Sequence, residues 1–357
     1  MMMTRLTRLF RNLLAAAAFA AAILPSLSLF AQAEGVPIEP AVTLPEDEDL
    51  HKRAEEFLKE GKSLSVKQVR DLLRTPQPEP IELAPVRKTP LTGREVAKTA
   101  RKAFIRFGWF GREEDGEENF FSIGGAYALT ADGVFATCYH VVDPEGIRSG
   151  CLLGLRENGE LLRVTKVLAR DKVLDAAIVR VDATGFEPLP LNTDIAPGDA
   201  AYCFSDPLDA YGYFSDGIVN RFYRILPPQR RRRPIPADSP SLLRMNVGTD
   251  WAPGSSGAAV LDQCGNAIGH VAAIWSLSDD AYFAPLGTDD SEEESKEPRP
   301  APKDPKPMDS AEAMPEEKAE EPAAGPVLIT LHEAIPAAPI IKLVEGMKEK
   351  PAAAKPK

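Results

Sequence analysis

Histidine is the side chain that most often serves as a general base near neutral pH, and the chain has four of them. His140 ends the segment ATCYHVV, where an apolar strand pattern runs out into a turn. Such loop edges on a rigid scaffold often carry reactive side chains. His51 lies in a charged segment without an apolar frame, while His270 and His332 lie inside strand patterns that favour a structural role. His140 is therefore the candidate base.

A glycine-rich turn supplies a candidate nucleophile. The segment APGSSG, residues 252–257, lies between two strand patterns. Glycines at 254 and 257 allow backbone N–H groups to come close to a reacting carbonyl, which an oxyanion site requires. Alone, such a turn is usually only a turn. Combined with His140 and a carboxylate between the two motifs, it indicates nucleophilic catalysis by a serine.

Two acids compete for the role of that carboxylate, and both lie in RDKVLDAAIV, residues 170–179. An acid directly before an apolar strand can be buried against an imidazole and hold its tautomer. Asp175 has this position. Asp171 precedes a lysine and fits a solvated turn better. Asp175 is the preferred candidate, and Asp171 is the alternative.

The elements that must position these residues are short strands. Aromatic and β-branched runs recur from residue 103 to residue 275, and Asp132-Gly133 and Asn158-Gly159 are typical of hairpin turns. A further strand pattern (327–335) and a short helix (339–347) follow. This texture predicts a mainly β fold of the sandwich or barrel type. Strands are expected at 103–110, 120–130, 134–137, 152–156, 161–168, 176–181, 200–204, 217–224, 242–247, 258–261 and 267–275.

The N-terminus predicts export. Three arginines before residue 12 precede an uncharged stretch, 13–30, and Ala31-Gln32-Ala33 has the small-x-small pattern of a cleavage site. We expect a signal peptide over 1–33 and a secreted or periplasmic protein without stable membrane insertion after cleavage. An uncleaved anchor is the alternative, and Pro25 weakens it.

Charge and proline define the remaining segments. The net charge is −11, which argues against a partner such as nucleic acid, whose phosphates require a positive surface. Residues 279–326 hold 15 acidic side chains, 5 basic ones and 9 prolines, and we expect them to be a disordered insertion. Residues 34–95 form a Pro-rich, partly helical and flexible arm with helical patches at 50–59 and 66–74. This arm is a tether, a pro-region or a partner-binding segment. A flexible tail is expected over 347–357.

Three motifs in order resemble the exported bacterial branch of the trypsin-like serine peptidases. They are GGAYALTADGVFATCYHVV (124–142), RDKVLDAAIVRVD (170–182) and TDWAPGSSGAAVLDQCGNAIGHVAA (249–273). The likeness covers roughly residues 96–278 and the strand and helix at 327–346. It implies two six-stranded antiparallel β-barrels with a short C-terminal helix, and an active site between the barrels.

The resemblance also implies roles for individual residues. His140 is the general base, Asp175 orients it and Ser256 is the nucleophile of a serine endopeptidase that forms an acyl-enzyme. The N–H groups of Gly254 and Ser256 form the oxyanion hole. Alanines at 258 and 259 replace the family's frequent Gly-Pro, and Ser255 precedes the nucleophile where digestive members have an acid. A catalytically silent trypsin-like module that binds peptides is the alternative.

The same likeness suggests how polypeptide substrates are held. Ala272, Ala273 and Ile274 would pair with the substrate backbone. Asp250, six residues before Ser256, either selects a basic side chain at the cleavage site or only caps a loop.

Four cysteines complete the set of chemically active side chains, and their spacing does not suit a CxxC metal site. No metal or other cofactor is expected, and the oligomeric state is left open. The resemblance places Cys203 and Cys264 on strands that the family sometimes cross-links. Cys138 and Cys151 would then form a second disulfide. Free buried thiols are the alternative.

Overall fold

The computed structural model describes residues 47–113, 116, 118–226, 235–278 and 327–348. The expected signal peptide and acidic insertion lie outside these residues, as does the tail beyond 348. No helix in the described part of the chain is both long enough and apolar enough to cross a membrane.

The first β-barrel is closed in the order β1-β2-β3-β6-β5-β4. Each neighbouring pair is antiparallel. Large buried side chains such as Trp109, Phe107 and Phe135 fill its interior. A short helix, α4, follows β3 directly. The bounds are β1 Phe104–Glu113, β2 Glu118–Ala128, β3 Val134–Thr137, α4 Tyr139–Val142, β4 Ile147–Leu155, β5 Leu161–Asp171 and β6 Ala176–Val181.

The second β-barrel is closed in the order β10-β11-β12-β9-β8-β7, and a C-terminal helix, α5, follows β12. The two six-stranded barrels confirm the predicted mainly β class. β11 and β12 pair as far as Ser278 and Val327, where they form a ribbon with exposed apolar side chains, among them Trp275 and Leu328. The bounds are β7 Ala200–Ser205, β8 Tyr213–Arg224, β9 Leu243–Val247, β10 Ala259–Leu261, β11 Ala267–Ser278, β12 Val327–Pro336 and α5 Ala337–Gly346.

The segment before β1 packs on the first barrel, although the sequence favoured a tether. Helices α1 (Asp47–Lys59) and α2 (Val66–Arg74) form where the apolar spacing predicted them. α2 buries Val66, Val69 and Leu73 in the main core. Between the helices, Leu64 donates its N–H to the Val164 carbonyl and accepts from the Leu152 N–H, at 3.2 and 2.9 Å. Most of the arm is therefore part of the barrel's packing.

The Pro-rich stretch after α2 runs along both barrels. The Gln77 N–H bonds to the Val167 carbonyl of the first barrel, and the Leu91 N–H bonds to the Gln263 carbonyl of the second, at 2.9 and 2.8 Å. A third helix, α3 (Gly93–Ala103), then leads into β1. It has a capping box between Thr92 and Glu95. This helix was not predicted from the sequence, because its apolar face is short and rich in alanine.

All four cysteines are free thiols in the structure, so neither expected disulfide is formed. Cys138 is buried in the main core, whereas Cys151 packs in a separate cluster beneath α1. Cys203 lies on β7 opposite Val260 of β10, and Cys264 lies four residues after Val260, in the turn that follows β10. The two cysteines of each expected disulfide therefore lie in different regions of the fold.

Candidate active site

His140 and Asp175 are brought together by the first barrel. His140 lies in α4, and Asp175 ends the turn between β5 and β6. The His140 Nδ1 atom lies 2.8 Å from Asp175 Oδ2, and the His140 backbone N–H donates to Asp175 Oδ1 at 3.0 Å. One carboxylate thus contacts both the ring and the backbone of the histidine, which fixes the ring's orientation. The His140 side chain is half-exposed, and its Nε2 atom has no hydrogen-bond partner among the described residues.

Asp175 has an unusual backbone conformation. Its φ is +64°, in the left-handed region that costs energy for residues other than glycine. Burial by itself would raise the pKa of the carboxyl, but the hydrogen bonds and charge interaction with His140 outweigh burial and lower it. Asp175 is therefore an anion at neutral pH and suited to stabilise an imidazolium. The Asp171 carboxylate accepts the N–H groups of Val173 and Leu174, so it shapes the turn.

The serine turn of the second barrel packs directly on the histidine segment. The Gly125 N–H of β2 donates to the Ser256 carbonyl at 2.7 Å. Gly257 has φ +85°, and a Cβ there would lie 2.5 Å from Thr137 Oγ1 and 2.9 Å from the Cys138 nitrogen. Glycine is therefore required both for the turn and for the approach to β3. This contact places Ser256 beside the segment that carries His140.

Two backbone N–H groups of this turn, those of Gly254 and Ser256, have no acceptor among the described residues. Gly254 has φ +99°, and a Cβ there would lie 2.6 Å from the Asp206 carbonyl, so only glycine fits. The neighbouring Ser255 is fully buried, and its hydroxyl bonds to the Ser205 hydroxyl at 2.9 Å. Of the two serines, Ser256 is the accessible one.

The proposed substrate strand follows the turn on β11. Ala272, Ala273 and Ile274 lie where β11 has passed β10, and a bulge at Ala272 interrupts the pairing with β12. The Trp251 Nε1–H donates to the Ala273 carbonyl at 3.2 Å and anchors this strand. Asp250 is exposed, and its carbonyl accepts the Ser215 hydroxyl at 2.8 Å. The pocket-floor role of Asp250 stays a prediction.

Two buried residues, His270 and Cys138, lie beside the pair, a position that the sequence did not indicate for either. His270 lies against Asp175, with Nε2 3.3 Å from the Asp175 carbonyl. The Cys138 Sγ, His140 and Asp175 ligand atoms all lie within 4.8 Å of one another, the only such metal-compatible group among the described residues. Burial, followed by the nearby Asp175 charge, raises the Cys138 pKa well above that of an ordinary thiol, so Cys138 is a poor metal ligand. His51 also differs from expectation, because its ring packs edge-on against Phe110 and Phe120.

Two closed six-stranded barrels, with a histidine–carboxylate pair on one and a glycine-flanked serine on the other, define a peptidase-like double barrel. A family model for the trypsin-like peptidase domain matches residues 124–269, which include His140, Asp175 and Ser256. The chain therefore contains a trypsin-like peptidase domain over residues 124–269.

Individual relatives are distant. The chain is 27% identical over 161 residues to Protease Do-like 1, chloroplastic, from Arabidopsis thaliana, which is 43% of this chain and 34% of that protein. It therefore spans about a third of the length of this curated relative. The serine endoprotease from Yersinia pestis is similar to 73% of this chain and 68% of its own, at 16% identity and a TM-score of 0.43.

Proposed function

We propose that this chain is an active serine endopeptidase whose triad is His140, Asp175 and Ser256. The observation that carries the proposal is the double contact between the Asp175 carboxylate and His140, beside a turn that holds Ser256 accessible. That carboxylate keeps the proton of His140 on Nδ1, so Nε2 is a free base. The family match supplies the substrate class, which is polypeptide.

The reaction follows from these roles. Nε2 of His140 takes the Ser256 hydroxyl proton as Oγ attacks the peptide carbonyl. The tetrahedral intermediate carries a negative oxygen, which the N–H groups of Gly254 and Ser256 stabilise. His140 then gives its proton to the leaving amine, the carbon–nitrogen bond breaks and an acyl-enzyme remains. Water, deprotonated by His140, cleaves the ester and restores Ser256.

Substrate would lie in extended form along β11. Ala272, Ala273 and Ile274 are at the point where β11 has lost β10 as a neighbour, so a substrate strand has backbone groups to pair with. Profiling cleavage on a peptide library tests Asp250. A strong preference for Arg or Lys that disappears in Asp250→Ala supports its role in the pocket, and no such preference rejects it.

Export is part of the same proposal, since residues 1–33 have the composition of a signal peptide. N-terminal sequencing of the protein recovered outside the cytoplasm is expected to begin at Glu34. A retained N-terminus would contradict cleavage.

The activity is tested with an unfolded protein substrate. Wild type is expected to release new N-termini, and Ser256→Ala is expected to release none. Ser255→Ala is the matched control, because it removes the adjacent buried hydroxyl and leaves the proposed nucleophile in place. No cleavage by correctly folded wild type would instead favour a silent peptide-binding module.

A further inference from the structure

The turn that carries Asp175, residues 171–175, belongs to the first barrel but is hydrogen-bonded from the second. The Ser241 hydroxyl donates to the Asp171 carboxylate at 2.6 Å. The Arg244 guanidinium donates to the Val173 carbonyl at 2.8 Å. Arg244 also pairs with a buried carboxylate of β12, and its side chain is about 5% exposed. The turn is therefore held by well-packed groups of the other barrel.

His270 makes the contact that reaches Asp175 itself. It lies on β11 opposite Ala259, three residues after Ser256, and is completely buried. Burial, the largest effect, lowers the pKa of His270 to about 4, so the ring is neutral at pH 7. A neutral ring with its proton on Nε2 donates a hydrogen bond to the Asp175 carbonyl, 3.3 Å away.

Packing alone does not explain a histidine at this position. The buried His270 Nδ1 has no hydrogen-bond partner among the described residues, and neither has the hydroxyl of nearby Tyr127. An unsatisfied buried nitrogen is destabilising, and an aliphatic side chain would fill the space without it. Asp175 has a left-handed backbone conformation, which is strained and must be held by its surroundings. The hydrogen bond to the Asp175 carbonyl therefore accounts for a histidine at position 270.

We propose that His270 is a positioning residue for the triad, holding the strained Asp175 backbone so that its carboxylate meets His140. The inference rests on the proposed serine peptidase function. His270 lies on the barrel that carries Ser256, and Asp175 on the barrel that carries His140. The acid of the triad is thus aligned by the nucleophile's own barrel, and the triad is complete only when the two barrels are docked.

Two substitutions separate the hydrogen bond from the packing. His270→Leu removes the donor, and His270→Gln keeps an N–H near the former Nε2 position. We expect His270→Leu to lower kcat by about 10- to 100-fold with KM nearly unchanged, because a displaced catalytic group costs up to about 10²-fold. His270→Gln is expected to recover most of the loss. His51→Leu, which replaces a partly buried histidine of α1 packed against Phe110 and Phe120, is the matched control and should keep kcat.

The second readout is the hydrogen bond between the His140 Nδ1 proton and the Asp175 carboxylate, whose atoms lie 2.8 Å apart. A proton in a short N–H···O bond to a carboxylate resonates far downfield, so proton NMR on the full chain in the Ser256→Ala background detects it without turnover. A displaced carboxylate in His270→Leu should move this signal upfield or broaden it by exchange with water, whereas His270→Gln should retain it. An inactive wild type would therefore reject the proposed function while the NMR still decides the role of His270. Wild-type kcat in folded His270→Leu, or an unchanged Nδ1 proton signal, would overturn the inference.

Discussion

The two barrels share one architecture, but they satisfy their polar groups differently around the site. In the first barrel the catalytic candidates are bonded to each other, since the Asp175 carboxylate contacts both the ring and the backbone of His140. In the second barrel the serine turn leaves the N–H groups of Gly254 and Ser256 without an acceptor among the described residues.

The two barrels also differ in how much of their surface is covered. The first barrel is covered by α1, α2 and the stretch that follows them. The second ends in the β11–β12 ribbon, which exposes Trp275, Leu328 and Ile329. In terms of the proposed function, the first barrel would fix the proton-transfer pair, and the second would keep free the groups that meet a substrate.

The largest test of this contrast removes the charge from the engaged pair. Asp175→Asn should lower kcat by about 10⁴-fold, because the amide favours the wrong tautomer of His140. Asp171→Asn is the matched control, since Asp171 shapes the same turn but does not touch the histidine. Steady-state kinetics on a peptide ester measures both. Similar losses in the two variants would contradict the assignment of Asp175.

The second prediction concerns the covered and exposed surfaces. Leu73→Ala, in α2 against the first barrel, should lower the free energy of unfolding by about 2–5 kcal/mol. Leu328→Ala, on the exposed ribbon of the second barrel, should change it by less than about 0.5 kcal/mol. Urea denaturation of both variants measures the two changes in the free energy of unfolding. A small effect of Leu73→Ala would mean that the N-terminal segment is a loose arm after all.

The third prediction is that His270 of the second barrel and Asp175 of the first affect stability in different pH ranges. The pKa of His270 is about 4 in the folded state, below the ordinary 6.5, so between these values the unfolded chain binds the extra proton. Stability should therefore fall as pH drops from about 6.5 to about 4, with a slope near 1.4 kcal/mol per pH unit. In His270→Gln the free energy of unfolding should depend much less on pH in this range.

Asp175 titrates lower, because its folded pKa lies below the ordinary carboxyl value. Its contribution is complete above the unfolded pKa, about 3.9, and is lost as pH falls through the folded one. Asp175→Asn should remove the pH dependence of stability in this lower range. Because the Asp175 charge raises the pKa of His270, the same variant should also move the His270 range to lower pH. Denaturation curves measured across pH that show no change in the lower range for Asp175→Asn would contradict the assignment.

The smallest effect is expected at the thiols. Cys264 is partly exposed, whereas Cys138, Cys151 and Cys203 are buried, and burial raises the pKa of all four thiols. Ellman's reagent should therefore detect about one fast thiol in the native protein and all four after denaturation. Cys264→Ser should remove the fast one with little change in stability. Fewer than four thiols in the denatured, unreduced protein would reveal a disulfide.

Much of the fold could be predicted from the sequence because the signals were local. Alternating apolar residues and Asp-Gly or Asn-Gly turns mark the strands, and the Ser65 capping box agrees with the helical spacing of α2. The three motifs also pointed to His140 and Asp175, whose side chains are in contact in the structure. The packing of the N-terminal segment depends on contacts such as Leu64 with Val164, about 100 residues apart, and no local pattern reports these.

The site was harder to predict wherever a residue acts across the barrels. His270 has the burial pattern of a structural strand residue, and only the register of β11 with Ala259 shows that it lies near the serine turn. Asp171 and Asp175 differ in sequence only by their neighbours, whereas the structure separates them by backbone geometry and partners. The expected cysteine pairing was wrong for the same reason, since spacing does not report that Cys138, Cys203 and Cys151 enter three different core clusters.

The central claim, that Ser256 is a nucleophile activated by His140, is tested most directly by labelling with a fluorophosphonate and locating the adduct by mass spectrometry. The account predicts one adduct per chain, on Ser256, that is absent from Ser256→Ala and strongly reduced in His140→Ala. Ser255→Ala should still be labelled. Correctly folded wild type that forms no adduct, or an adduct that persists in Ser256→Ala, would contradict the account.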